Sequence, residues 1–264
     1  GRHSSGALVT ALYERLGTRL FRATELTTGP WSPDAQHGGA PAALMAGVMQ
    51  QVGTPAMFTA RFTAEFLRPV PIARLEATAE VVRTGKRVEI ISASLTMEGT
   101  PVAAARALRI RRHDGLDVPE TPTVPVPPIP ERRGPGFSLG YTSFVTDALD
   151  VRFVEGSMTE PGPATAWIRL AVDVVDDEPP TPLQRVLAAA DCGNGMSSLA
   201  DWHELLYINP DLTVYLHREP VGTWIFMRSA TVLQPHGVGT AQSELSDETG
   251  SLGRALQSLY VDRL

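Results

Sequence analysis

The pentapeptide LRPVP at 67–71 is answered by LHREP at 216–220, with an offset of 150 between Arg68 and Arg218. Two turns answer each other at almost the same distance: Glu98-Gly99-Thr100 and Thr249-Gly250-Ser251, whose glycines are 151 apart. An echo of that period in a chain of 264 residues constrains it to two similar halves, each built on one supersecondary plan.

The plan is clearest in the first half. From Met57 to Leu67 the chain alternates, with Phe58, Ala60, Phe62, Ala64 and Phe66 on one face and Thr59, Arg61, Thr63 and Glu65 on the other, the pattern of a half-buried strand. Three further strands are expected at 75–83, 87–97 and 101–111, joined by the turns Thr84-Gly85-Lys86 and Glu98-Gly99-Thr100. Before them, Gly38 and Gly39 open a helix with Pro41 in its first turn and Leu44, Val48 and Val52 on one face. Its small residues Ala42, Ala43, Ala46 and Gly47 suit close approach of a sheet. Leu8, Leu12 and Leu16 predict a helix over 7–16, followed by a strand over 19–26.

Residues 119–136 hold seven prolines and read as a stiff, extended linker. The expected organisation is therefore an N-terminal domain at 7–113, a linker at 114–140 and a C-terminal domain at 141–264. Beyond it the second meander is predicted as strands over 211–218, 223–233, 239–245 and 251–262. Its helix begins with Thr181-Pro182-Leu183-Gln184, a capping-box pattern with proline at the first helical position. Matching Pro182 to Pro41 gives an offset of only 141, so about nine extra residues are expected after this helix, around 196–207.

The two helices differ in one respect that bears on chemistry. Asp191 continues the apolar stripe of Leu183 and Leu187, whereas the first helix, 41–52, has no acid. A carboxyl group on a buried stripe is costly unless it is hydrogen-bonded or protonated, which is as compatible with a capping role as with a catalytic one. Cys192 beside it has no basic neighbour in sequence and reads as a small buried filler.

The net charge of −6 excludes a general nucleic-acid binder, for lack of a basic excess to neutralise phosphates. No apolar run approaches the roughly 18 residues of a membrane span, and GRHSSG at the start lacks the core of a signal peptide, so a cytoplasmic protein is expected. The six histidines show no paired metal-ligand spacing, there is no GxSxG elbow, and DCGNG lacks both phosphate-loop and dinucleotide patterns. No metal and no cofactor are expected.

QHGGAPAAL, FTAEFLRPVP, RTGK, AAADCGNG, NPDLTVYLHREPVGTW and GSLGRALQSLYV, in that order, resemble the acyl-CoA thioesterase II family over nearly the whole chain. The resemblance implies an α+β fold of two fused hotdog domains, each a central helix wrapped by an antiparallel sheet. It also implies hydrolysis of acyl-CoA thioesters by a water held on an Asp, a Thr or Ser, and a Gln, in a chain that forms homo-oligomers. Residue by residue, the Asp falls on Asp191 and the Gln on Gln257. The hydroxyl position falls on Asn209, or on Thr213 if the register slips. Asp191 is then the general base, and backbone N–H groups near Gly38 and Gly39 polarise the substrate carbonyl. Asn209 keeps open a non-catalytic acyl or CoA binder. An enoyl-thioester hydratase, which needs an Asp–His pair, ranks lower because Asp34 and His37 both precede their helix.

Overall fold

Each strand of the first meander recurs 150 residues later. In the computed structural model, which describes residues 9–134 and 137–264, the chain runs β1 (Ala11–Arg15), β2 (Leu20–Ala23), α1 (Gly39–Met49), β3 (Met57–Phe66), β4 (Arg74–Arg83), β5 (Val88–Met97) and β6 (Thr100–Arg111). It continues through β7 (Leu149–Glu155), β8 (Ala164–Leu170), β9 (Asp173–Val175), α2 (Pro182–Ala190), α3 (Gly193–Met196), β10 (Leu205–Ile208), β11 (Asp211–Leu216), β12 (Trp224–Leu233), β13 (Val238–Asp247) and β14 (Gly250–Arg263). The bounds of β4 and β5 reappear in β12 and β13 at that offset.

All the strands join one sheet, in the order β7-β8-β12-β13-β14-β11-β3-β6-β5-β4-β2-β1-β9, with β10 paired to β14. Its first six strands correspond in turn to β1, β2, β4, β5, β6 and β3, so a pseudo-twofold axis falls where β11 meets β3. Register agrees: Thr63 pairs with Thr213, its own counterpart, and their Oγ1 atoms lie 3.1 Å apart. The axis puts α1 against α2. Gln184 of the observed capping box reaches across to donate from Nε2 to the Ala43 carbonyl at 3.1 Å, where Gly47 leaves room. The small residues of α1 thus admit the other helix as well as strands β4, β5 and β6.

The predicted opening helix is a strand. Leu8 lies outside the described residues and Leu16 is exposed, while Ala11, Leu12 and Tyr13 are buried in succession. Such a run fits β1, whose edges are hydrogen-bonded by β2 and, in parallel, by β9 from the second half. Two-sided burial outweighs the weak i, i+4 spacing of three leucines. The predicted strand at 19–26 is shortened to β2 because Glu25–Thr27 turns into a 3-10 helix. Strands β7 to β10 and the π-helical turn Phe144–Ala148 occupy stretches where no element was predicted.

Among its described residues the linker has no helix or strand. It lies along the second half, with Trp167 Nε1 donating to the Pro127 carbonyl at 3.1 Å and Arg152 Nη1 to that of Pro130 at 2.8 Å. Pro135 and Gly136 lie outside the described residues. Among the described residues no helix is long and apolar enough to cross a membrane.

The second half is closed by one ionic clamp. Asp247, fully buried at the end of β13, takes both arms of the Arg218 guanidinium at 2.7 Å and accepts from the backbone of Val221 and from Thr249. Burial pushes its pKa up, but the guanidinium and these donors outweigh it and hold the carboxyl well below the usual range. Arg218→Ala should therefore lower stability at neutral pH by about 3–5 kcal/mol, since it strands a buried charge. A denaturant midpoint unchanged by the substitution would show that the clamp contributes nothing.

Candidate active site

α2 ends at Ala190, so Asp191 is its C-cap residue, still in helical geometry (φ −72°, ψ −7°) and 3% exposed. Three elements converge on its carboxyl group. From the loop between β10 and β11, Asn209 Nδ2 donates to Oδ1 at 2.7 Å. From β14, Gln257 Nε2 donates to the same Oδ1 at 3.0 Å and to the Asp191 carbonyl at 3.1 Å. From the chain just before α1, His37 Nδ1 lies 3.2 Å from Oδ2. The Gly39 N–H, at the start of α1, is directed at Asp191 and at His37 Nδ1, 3.1 Å away.

Burial raises the Asp191 pKa to about 7, against the lowering effect of the Asn209, Gln257 and Gly39 hydrogen bonds. Its place at the negative end of α2 also disfavours the charge, while the positive end of α1 favours it. Burial lowers the His37 pKa to about 4, so its imidazole is neutral at neutral pH. The ring stacks on Phe144 at 4.7 Å, which fixes its plane. The contact serves both states of the acid: a protonated Asp191 donates to Nδ1, and a carboxylate accepts from the other tautomer.

The extra residues after α2 fall as expected, in the stretch around α3 and up to β10. They help enclose a cavity of about 440 Å³ that reaches Asp191, His37, Gly38 and Asn209. Its wall is chiefly apolar, with Trp31, Phe66, Phe137, Val145, Met158 and Trp202. Trp31 meets Tyr207 edge-on and Phe137 meets Trp202 the same way, which makes the aromatic rim stiff.

Of the residues singled out from sequence, Asp191, Asn209, Gln257, Gly38 and Gly39 come together. Thr213 does not: its hydroxyl faces Thr63 on the pseudo-twofold axis. Gln257 is buried between Ala255 and Leu259 as its strand face requires, and its Oε1 accepts from the Asn194 N–H at 2.9 Å. Both ends of this amide are thus spent on Asp191 and α3. Sequence reasoning passed over two residues. His37 was weighed only for a hydratase pair with Asp34 and given no part in hydrolysis, although it adjoins Gly38 and Gly39. Asn194 lines the cavity with its Nδ2 held by the Tyr207 carbonyl at 3.2 Å, and its buried Oδ1 has no partner among the described residues. A polar side chain inside DCGNG, just past the acid, was the available signal. Cys192 is buried, and burial pushes its thiol pKa further up, away from nucleophilic use.

A cavity lined by aromatic and aliphatic groups, with one buried carboxyl of near-neutral pKa and amide groups around it, is suited to acid–base chemistry on a largely apolar ligand. Comparison with known proteins narrows this. The model of the acyl-CoA thioesterase N-terminal domain matches residues 27–110, and that of the acyl-CoA thioesterase C-terminal domain matches residues 119–261. The chain belongs to the acyl-CoA thioesterase family and is a thioester hydrolase. No curated protein matched it in sequence.

Solved structures agree on the fold. A protein of Thermobifida fusca YX assigned as a thioesterase II is 18% identical with a TM-score of 0.75, over 97% of this chain and 99% of that one. A hot dog fold protein of unknown function from Alicyclobacillus acidocaldarius is 18% identical with a TM-score of 0.71, over 94% and 95%. The acyl-CoA thioesterase II TesB2 of Mycobacterium marinum is 15% identical with a TM-score of 0.65, over 96% and 95%. The fold is of the hot dog type.

Proposed function

We propose that the chain hydrolyses acyl-CoA thioesters with apolar, uncharged acyl groups, using Asp191 as general base on a water at the end of the cavity. The reading is carried by one observation: a buried carboxyl group whose pKa burial lifts to about 7 opens onto an apolar cavity of acyl-binding character. The family's two domains correspond in this proposal to residues 7–113 and 141–264, joined by the linker.

In the first step the water oxygen bonds to the thioester carbon while one water proton passes to Asp191. The second water hydrogen is held by the unpartnered Oδ1 of Asn194. Asn209 and Gln257 hold the carboxyl group in place, and Asn209 fills the position of the family's hydroxyl. The oxyanion forms near the N–H of Gly38, at the positive end of α1. When the C–S bond breaks, the thiolate takes the proton back from Asp191, leaving a free acid, a thiol and the starting carboxylate. His37 steadies Asp191 Oδ2 in both states.

The base must be ionised to act, and its pKa is raised to about 7. Activity at low substrate should therefore climb with pH through that value and level off above it, with a slope of one proton. A flat profile from about pH 5 to about pH 9 would argue against an Asp191 base.

The contact of Asp191 with His37 favours one alternative, addition of water across an enoyl thioester, since it supplies the Asp–His pair missing from sequence reasoning. The two are separated by thiol detection, because hydration leaves the thioester intact.

A further inference from the structure

We propose that Arg68 is the docking point for a phosphate group on the thiol carrier of the substrate, so that the site is built for a phosphorylated thioester. The inference rests on the thioesterase reading and starts from a break in the twofold symmetry. Arg218, the counterpart of Arg68 at the offset of 150, is locked bidentately on Asp247. The position matching Asp247 at the end of β5 is Met97, which offers no charge. Arg68 consequently has no ion pair or hydrogen bond among the described residues, and it is exposed.

Its location gives the loss of its partner a use. Arg68 lines the same cavity as Asp191, between Phe66 and Pro69 on one side of the wall. Apart from Asp191 and the neutral His37, the other titratable acids and bases lining that cavity among the described residues are the Cys192 thiol and the Tyr207 phenol, and burial raises the pKa of both and disfavours their charge. One permanent cation in a chiefly apolar wall is costly to cover with an apolar chain, and it is suited to an oxyanion. Because Arg68 is solvent-exposed while Asp191 is 3% exposed, the guanidinium stands at the mouth and the reacting carbon sits within. The part of the substrate that extends past the mouth is the carrier, whose chemistry supplies phosphate. Fixed prolines at 69 and 71 hold the backbone that presents the guanidinium.

The test uses the full chain and two independent readings. Coenzyme A itself is titrated by calorimetry into the Asp191→Asn protein with and without Arg68→Gln; about tenfold weaker binding in the double variant is expected. In the Asp191-intact protein, the KM advantage of an acyl-CoA over the same acyl group on N-acetylcysteamine, which carries no phosphate, should shrink about tenfold on Arg68→Gln, with kcat retained. Added salt should reduce that advantage in the parent and not in the variant. Equal binding of coenzyme A to both proteins would overturn the proposal, as would an equal loss on the two thioesters. It is also overturned if the loss appears only with an N-acetylcysteamine thioester bearing a terminal carboxylate, which would place the anion on the acyl end. Absence of turnover on every thioester would count against the proposed hydrolysis alone, since the calorimetric arm reads Arg68 without it.

Discussion

Asp191→Asn should give a protein that is more stable than its parent at pH 8 and has lost most of its thioesterase activity. The two effects share a cause. Burial lifts the carboxyl pKa from 3.8 to about 7, so between those values the folded chain holds a proton that the unfolded chain has released. A raised acid pKa gives stability that is fully present at low pH and is lost as pH rises through the folded value. Once Asp191 is ionised, the fold has given up roughly 4 kcal/mol relative to its protonated state, at about 1.4 kcal/mol for each pH unit between the two values.

Asparagine removes that cost without disturbing the contacts. Its oxygen can accept from Asn209 and Gln257, and its amide can donate to His37 Nδ1, as a protonated aspartate would. A melting temperature several degrees above the parent's is expected at pH 8, with the difference vanishing below about pH 4. Turnover should fall by roughly 10²- to 10⁴-fold, the usual contribution of a general base. A variant less stable than the parent at pH 8 would mean that Asp191 is held as a well-compensated charge.

Gly38→Ala should be the most damaging small substitution near the site. An added Cβ would lie 2.7 Å from Asp191 Oδ2 and 2.8 Å from the Phe66 ring. The carboxyl group cannot swing away freely, because Asn209 and Gln257 both hold Oδ1. The added methyl must push α1 or Phe66 outward, and either movement shifts the Gly38 N–H and the cavity wall against the base. Displacement on the order of 1 Å costs about 10²-fold in turnover, and overpacking costs about 1–3 kcal/mol of stability. At Gly17 a Cβ would meet only Leu20, at an ordinary 3.9 Å, so Gly17→Ala serves as the control. If Gly38→Ala retained full kcat, the close approach of this backbone to Asp191 would have no catalytic weight.

The repeat was legible because its carriers are local: a proline-stopped strand, a glycine turn and alternating side chains recur at one spacing. From them the two meanders could be drawn nearly to their ends, and the offset of 141 between the helices announced the longer stretch after α2. The strand β1 was misread because its partners, β2 and especially β9, lie elsewhere in the sequence, and a strand buried on both sides has no period of two. The site was legible in part for similar reasons. Asp191 stood out as a polar residue on an apolar stripe, and the family resemblance reached Gln257. His37 did not stand out, since its partner Asp191 comes from the other half and only the twofold packing of α1 on α2 brings them together. Asn194 was signalled only by its place inside DCGNG, and the unpartnered oxygen that gives it weight is visible in the structure alone.

The hydrolysis itself is tested most directly by incubating the purified protein in ¹⁸O-labelled water with saturated acyl-CoA substrates of increasing length, while released thiol and free acid are measured together. The expected result is one free acid bearing one ¹⁸O atom for each thiol, at a rate far above that of Asp191→Asn. No thiol release above that variant with any acyl chain, or consumption of an enoyl-CoA with its thioester intact, would contradict it.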